Sequence, residues 1–189
     1  ITKEAFRKAI EGNTLLNEVN SVPVKKGDVF FIKSGTLHAI GKGILIAEIQ
    51  QNSNTTYRVY DYGRTDVNGN PRELHIEKAL DVTNLNPIKP YIPQKEVELN
   101  GKTVQLLADC DYFTVSKQCI KTQSKLCADE TSFNHILVLD GEGELFSDDF
   151  EINLKKGSSV FVPAGTNAYN ITGKVTIIIT EIKQLQEEN

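Results

Sequence analysis

The chain has 189 residues, 39% of them hydrophobic and 24% charged, which is enough apolar material for one large or two small cores. A net charge of −4, with no Lys/Arg-rich run interleaved with aromatics, argues against nucleic acid as a partner. No apolar run approaches the roughly 18 to 20 residues of a membrane span and no secretory leader pattern opens the chain, so the expectation is a cytoplasmic protein without a membrane partner.

The sequence contains no methionine, and an N-terminal part is expected to be missing. Thr2-Lys3-Glu4 reads as a helix entry, with Thr2 able to cap the amides of the first turn. Phe6 and Ile10 are one turn apart, and Leu15, Leu16 and Val19 form a second apolar stripe after Gly12-Asn13, so two short helices are expected. From Val22 the texture changes to short β-rich runs, giving expected strands over 29–32, 44–50 and 55–60. Residues 66–71, DVNGNP, read as a loop, and 73–82 as a weak helix carrying Leu74, Ala79 and Leu80. Pro87, Pro90 and Pro93 mark an extended linker over 84–94.

Strands are expected again over 97–99, 103–108, 112–120, 134–139, 160–162 and 175–182, with an Asn100-Gly101 turn and a tight turn at Gly141-Glu142-Gly143. Many short strands at regular spacing argue for a sandwich or closed barrel rather than a parallel sheet. Cys110, Cys119 and Cys127 are odd in number and lack CxxC spacing, which fits isolated thiols better than a zinc knuckle or a disulfide frame.

One frame occurs twice. KKGDVFFIKSGTLHAI at 25–40 and KKGSSVFVPAGTNAYN at 155–170 share six of sixteen positions, and His38 of the first copy is matched by Ala168 of the second. Two tandem units of about 90 residues account for this.

Three residues in and beyond the first copy carry chemical potential. Among only three histidines, His38 follows a Gly turn at the start of an expected strand, where it is either a hydrogen-bonded core histidine or a ligand. A catalytic zinc needs three or more protein ligands, so His38 cannot hold one alone. In GILIAEIQQ, Glu48 shares a strand face with Ile44, Ile46 and Gln50 and is expected to be buried. Such a carboxylate serves either as a proton shuttle or as a structural ion pair with Arg58. Arg58, ten residues further on, sits among Tyr57, Val59 and Tyr60 and could stabilise a developing oxyanion or a phosphate. Asp61, Tyr62 and Arg64 are assigned to shape. His135 has no HxH pair before it, so the second unit reads as free of metal.

The spacing Gly27-x5-Lys33-Ser34-Gly35-x2-His38 resembles the second conserved motif of the cupin superfamily, with Lys33 where the family prefers proline. The longer run GTLHAIGKGILIAEIQQNSNTTYRVYDYGR, followed by RELHIEKAL, is similar to bacterial type I mannose-6-phosphate isomerases, over the C-terminal portion of a usual member. The resemblance implies a mainly β chain of two cupin jelly-roll barrels, the first incomplete, with short helices at the N-terminus and between the barrels. Residues 1–86 would be the partial catalytic cupin and 87–189 a metal-free cupin-like barrel.

By the same resemblance, one zinc ion per complete subunit is expected, with His38 as a ligand and the remaining ligands upstream. Arg58 matches an active-site arginine, and Glu48 is the candidate base for interconverting mannose 6-phosphate and fructose 6-phosphate through a cis-enediol. The partner is then a small sugar phosphate, and the chain on its own is expected to be inactive. The alternative is a bicupin that binds or senses a sugar without turnover.

Overall fold

The computed structural model describes residues 1–183. The chain divides into two compact units, Ile1–Tyr91 and Ile92–Asn189, with the division inside the proline-bearing stretch.

In the first unit the core is helical. Helix α1, Lys3–Glu11, begins where the Thr2 hydroxyl accepts the Ala5 amide at 3.2 Å and ends at Gly12, whose amide donates back to Lys8 O. A single 3₁₀ turn follows at Leu15–Asn17, and helix α2 spans Ile76–Val82. Phe6, Ala9 and Ile10 of α1 meet Ala79 and Leu80 of α2, with Leu15 and Val59 completing the buried cluster. Each of the larger side chains, Phe6, Ile10, Leu15, Val59 and Leu80, contributes roughly 1.5–3 kcal/mol when taken from water. The exposed Arg7–Glu77 pair joins the two helices at the surface, with Nη2 to Oε2 at 2.7 Å, and adds little to stability.

The strands expected over 29–32, 44–50 and 55–60 do not form; none of these residues belongs to a ladder. The runs lie without a partner strand among the described residues, and apart from Val59, which joins the helical cluster, most of their apolar side chains have no second layer to pack on. Phe30, Ile32, Ile44 and Ile46 stay exposed, and Leu45 is 96% accessible. Period-two patterning marks a segment able to pair; a strand also needs a neighbour to receive its backbone groups.

The second unit is an eight-stranded antiparallel sheet: β1 Val97–Leu99, β2 Lys102–Asp109, β3 Phe113–Ile120, β4 Gln123–Ala128, β5 Asn134–Phe146, β6 Glu151–Lys155, β7 Ser159–Val162 and β8 Asn167–Ile182. The order is β1-β2-β3-β8-β5-β6, with β4 also on β8 and β7 also on β5. The long strands β5 and β8 pair along most of their length, and each takes two short strands on its other edge, β7 and β6 on β5, β3 and β4 on β8. Strands β3 to β8 all feed one core, in which Ile136, Leu145, Tyr169, Ile171 and Ile177 are fully buried. One sheet whose strands converge on one core is coiled about it, the cupin-like arrangement.

The expected tight turn at 141–143 is instead the middle of β5. A Cβ at Gly143 would lie 2.1 Å from Thr172 O, and one at Gly141 2.1 Å from Lys174 O. The glycines let the β5 and β8 backbones close to a distance that side chains forbid, next to a register shift between Val138 and Asp140. A Gly-x-Gly pattern reads as a turn when close approach of a second backbone is not considered. Strands β4 and β6, polar at half or more of their positions, carry no strand expectation from the sequence.

The repeated frame survives at the level of hydrogen bonds. In the first copy Asp28 N donates to Lys25 O at 3.1 Å and Lys25 N to Asp28 Oδ2 at 2.9 Å; in the second, Ser158 N donates to Lys155 O at 2.8 Å and Lys155 N to Ser158 Oγ at 3.0 Å. Gly27 and Gly157 occupy the same left-handed region, at φ 96° and 85°. The next turn repeats as well, Thr36 N to Lys33 O at 3.0 Å against Thr166 N to Pro163 O at 3.3 Å. Local turn chemistry is therefore common to both copies, whereas the ladders that flank it in the second copy are absent from the first.

Candidate functional site

His38 follows this second turn. Its Nδ1 lies 2.9 Å from Thr36 O, and the ring is exposed. With Nδ1–H donating to this carbonyl, Nε2 carries the ring's lone pair, the arrangement in which a histidine can ligate. His38 thus offers one donor. Among the described residues, no group of three His, Cys, Asp or Glu side chains is placed to hold a metal ion.

Glu48 is exposed, contrary to the expectation of a buried carboxylate. The expectation required both faces of 44–50 to be covered, and neither is. No ion pair joins Glu48 to Arg58 among the described residues.

The carboxylate beside Arg58 is Asp61. Only 8% accessible, Asp61 stands among three guanidinium groups. Arg72 donates Nε to Oδ2 at 2.7 Å and Nη2 to Oδ1, Arg64 donates Nη2 to Oδ1 at 2.7 Å, and Arg58 Nε lies 3.9 Å from Oδ1. The Arg72 guanidinium, with Arg64 behind it, holds the Asp61 carboxyl down from 3.8 to about 2 against the opposing effect of desolvation.

The loop over 66–71 makes this cluster possible. The Asp66 carboxylate accepts the amides of Asn68 and Asn70 at 2.8 and 2.9 Å, and a bridge between Thr65 and Pro71 closes the turn. The chain therefore reverses and returns Arg72 to Asp61.

Arg58 is further fixed by the next segment. Its Nη1 donates to Glu73 O at 3.3 Å, its backbone amide donates to Nδ1 of His75 at 3.1 Å, and its carbonyl accepts the His75 amide at 2.7 Å. Hydrogen bonds and ion pairs thus gather Arg58, Asp61, Arg64, Arg72 and His75, and leave His38 and Glu48 unconnected to them. Arg72 and His75 carried no functional expectation. The signal for the cluster was Asp61 itself, a lone acid in VYDYGR with arginines three residues on each side of it.

Among the described residues, the second unit contains no comparable assembly. His135 Nε2 lies 2.8 Å from Ser159 Oγ, and Ala168, the counterpart of His38, sits opposite Cys127 in the β4–β8 ladder.

Comparison with known proteins bears on both units. The family model of the mannose-6-phosphate isomerase cupin domain matches residues 102–182, which run from the first residue of β2 to the last of β8. Mannose-6-phosphate isomerase ManA of Bacillus subtilis is 36% identical over 185 residues, covering 96% of this chain and 57% of its own length. The mannose-6-phosphate isomerase of Streptococcus mutans is 36% identical over 177 residues, covering 94% and 55%. The crystal structure of mannose 6-phosphate isomerase from Bacillus subtilis superposes with a TM-score of 0.62 at 36% identity, covering 69% of this chain and 41% of that one. The chain spans a little over half the length of the curated relatives it matches. Residues 102–182 thus match the model of the mannose-6-phosphate isomerase cupin domain, and the chain as a whole is similar to mannose-6-phosphate isomerases over just over half of their length.

Proposed function

We propose that the chain acts within a mannose-6-phosphate isomerase, interconverting an aldose phosphate and its ketose by moving a proton between C2 and C1. The observation that carries this reading is the identity of 36% that runs through both units, from the stretch with His38, Glu48 and Arg58 to the end of the cupin domain. In this reading residues 1–86 carry the chemistry and 87–189 form the metal-free companion barrel, in a cytoplasmic enzyme whose partner is a small sugar phosphate.

Glu48 takes the C2 proton and returns it at C1, and its exposure leaves it free to approach substrate. Arg58 stabilises the oxygen that becomes negative, or the phosphate, because a guanidinium offers fixed positive charge without changing its own protonation. Asp61 keeps that charge on station.

The residues present do not by themselves make a zinc centre, since His38 is a single donor. One zinc ion per complete subunit would need ligands beyond His38 and the described residues, and when bound it would polarise the sugar oxygens. The test is isomerisation of mannose 6-phosphate in deuterated water by the intact protein. Turnover is expected, with solvent deuterium at C1 in the fraction of ketose for which the proton exchanges on Glu48 before its return; saturable sugar binding with neither turnover nor exchange would replace the reading by a binding protein.

A further inference from the structure

We infer that His75 is a positioning residue for Arg58, acting through the backbone of that residue; this rests on the reading of Arg58 as an active-site arginine. The two residues, seventeen apart, exchange hydrogen bonds. Arg58 N donates to the imidazole Nδ1 at 3.1 Å, and His75 N donates to Arg58 O at 2.7 Å. To accept an amide, Nδ1 must be unprotonated, so the ring proton lies on Nε2, the nitrogen 4.0 Å from the Glu73 carboxylate.

His75 is itself anchored. It immediately precedes α2, whose Ala79 and Leu80 are buried with Val59, the residue after Arg58. A packed helix thus fixes an imidazole, and the imidazole fixes the backbone from which the guanidinium projects. The run before Arg58 lies in no ladder, and no other acceptor takes its amide among the described residues. With the backbone set, Asp61 and Glu73 O bound the guanidinium from two further directions. The side chain of His75 is 26% accessible, so its ring is neither free at the surface nor part of the apolar cluster. A histidine that served packing alone would not need an acceptor nitrogen aimed at one amide.

The experiment compares His75→Ala, His75→Gln and His75→Asn in the intact protein. Turnover of mannose 6-phosphate is one readout, and hydrogen exchange of the Arg58 amide by NMR is the other. An Asn side chain can place an acceptor where Nδ1 stood; Ala and Gln cannot. His75→Ala and His75→Gln are expected to lose about 10- to 100-fold in turnover, the scale of a misplaced catalytic group. Their Arg58 amide should exchange up to about tenfold faster, the scale of one lost hydrogen bond. His75→Asn should restore both. Equal damage from Asn and Ala, or Arg58 amide protection unchanged in His75→Ala, overturns the inference. Arg58→Ala is the separate control: if it turns over at the wild-type rate, the reading of Arg58 as an active-site residue fails, whatever the exchange arm shows.

Discussion

The Asp61 carboxylate and the Arg72 guanidinium are joined by two hydrogen bonds across eleven residues, Nε to Oδ2 at 2.7 Å and Nη2 to Oδ1. The chain between them is a closed turn, so the pair fastens the loop over 66–71 to the segment that carries Arg58. Arg64 adds a third contact to the same carboxylate. A single buried acid therefore organises the arginines of this stretch.

Acid should undo this arrangement in a defined window. The folded state holds the Asp61 carboxyl at about 2, against 3.8 without partners, so between those values the unfolded chain binds more protons than the folded one. The contribution of Asp61 is complete above about pH 4 and is lost as the pH falls through about 2. Amide exchange over 58–75, followed from pH 5 down to pH 2, should accelerate across that range beyond its intrinsic pH dependence. Asp61→Asn should be less protected at pH 7 and show little further acid response. An Asn variant that matches wild type at pH 7 would mean that the arginine cluster does not depend on the charge.

The glycines of the second unit divide by cause. Gly143→Ala would put a Cβ 2.1 Å from Thr172 O, a backbone atom in a paired strand, and the β5–β8 ladder would have to open. Overpacking of this kind costs about 3 kcal/mol. At Gly157 the conformation is left-handed but the space is open, so Gly157→Ala should cost only the local strain, about 1 kcal/mol. Urea unfolding of the second unit followed by circular dichroism measures both, and the reverse ranking would show that β5 bends away to admit a methyl group.

Tyr169 lies wholly within the sheet core, and its hydroxyl accepts Asn134 Nδ2 at 2.7 Å. Burial, the dominant effect, pushes that hydroxyl from 10.0 up to about 12. The folded state then keeps a proton that the unfolded state releases, so stability falls as pH rises from about 10 to about 12. Tyr169→Phe leaves Asn134 with Cys127 O alone and should cost about 1 kcal/mol at neutral pH. The same variant should remove a late step from the absorbance titration. If all six tyrosines of the wild type ionise near pH 10 before unfolding, the core assignment of Tyr169 is wrong.

The parts of the fold that were legible in the sequence are those with a local cause. Thr2 caps α1, Asn100-Gly101 turns β1 into β2, and the Gly27 and Gly157 turns repeat their hydrogen bonds, because each depends on a few adjacent residues. The runs over 29–32, 44–50 and 55–60 alternate as strands do yet join no ladder, since alternation records which side chains could be buried and not what covers them. Gly141 and Gly143 failed for a related reason: their partner is the backbone of Thr172 to Lys174, some thirty residues away. At the candidate site, the aromatic neighbours of Arg58 indicated a side chain held off the open surface, and it is 25% accessible. Strand parity offered Glu48 as one possible carboxylate for Arg58, whereas Asp61, which a reversing loop pairs with Arg72, lies beside it instead. Parity cannot register a loop that doubles back.

Metal binding separates what this chain holds from what it lacks. His38 presents one imidazole with Nε2 free, and among the described residues no further ligands stand with it. A lone exposed imidazole has no chelate partners, and catalytic zinc sites take at least three protein ligands. The 189 residues alone should therefore bind zinc weakly, show no stoichiometric metal after dialysis, and lack isomerase activity. In the intact protein the expectation reverses: His38→Ala should lose metal and turnover together. Arg58→Ala should lower turnover about 100- to 1,000-fold, the scale for removing one group that stabilises a developing oxyanion, while zinc content stays at the wild-type level. Metal analysis beside a coupled assay for fructose 6-phosphate reads both quantities on one sample. Stoichiometric zinc with full turnover in the 189-residue chain would place every ligand within it, and loss of zinc from Arg58→Ala would move Arg58 from chemistry to the support of the metal site.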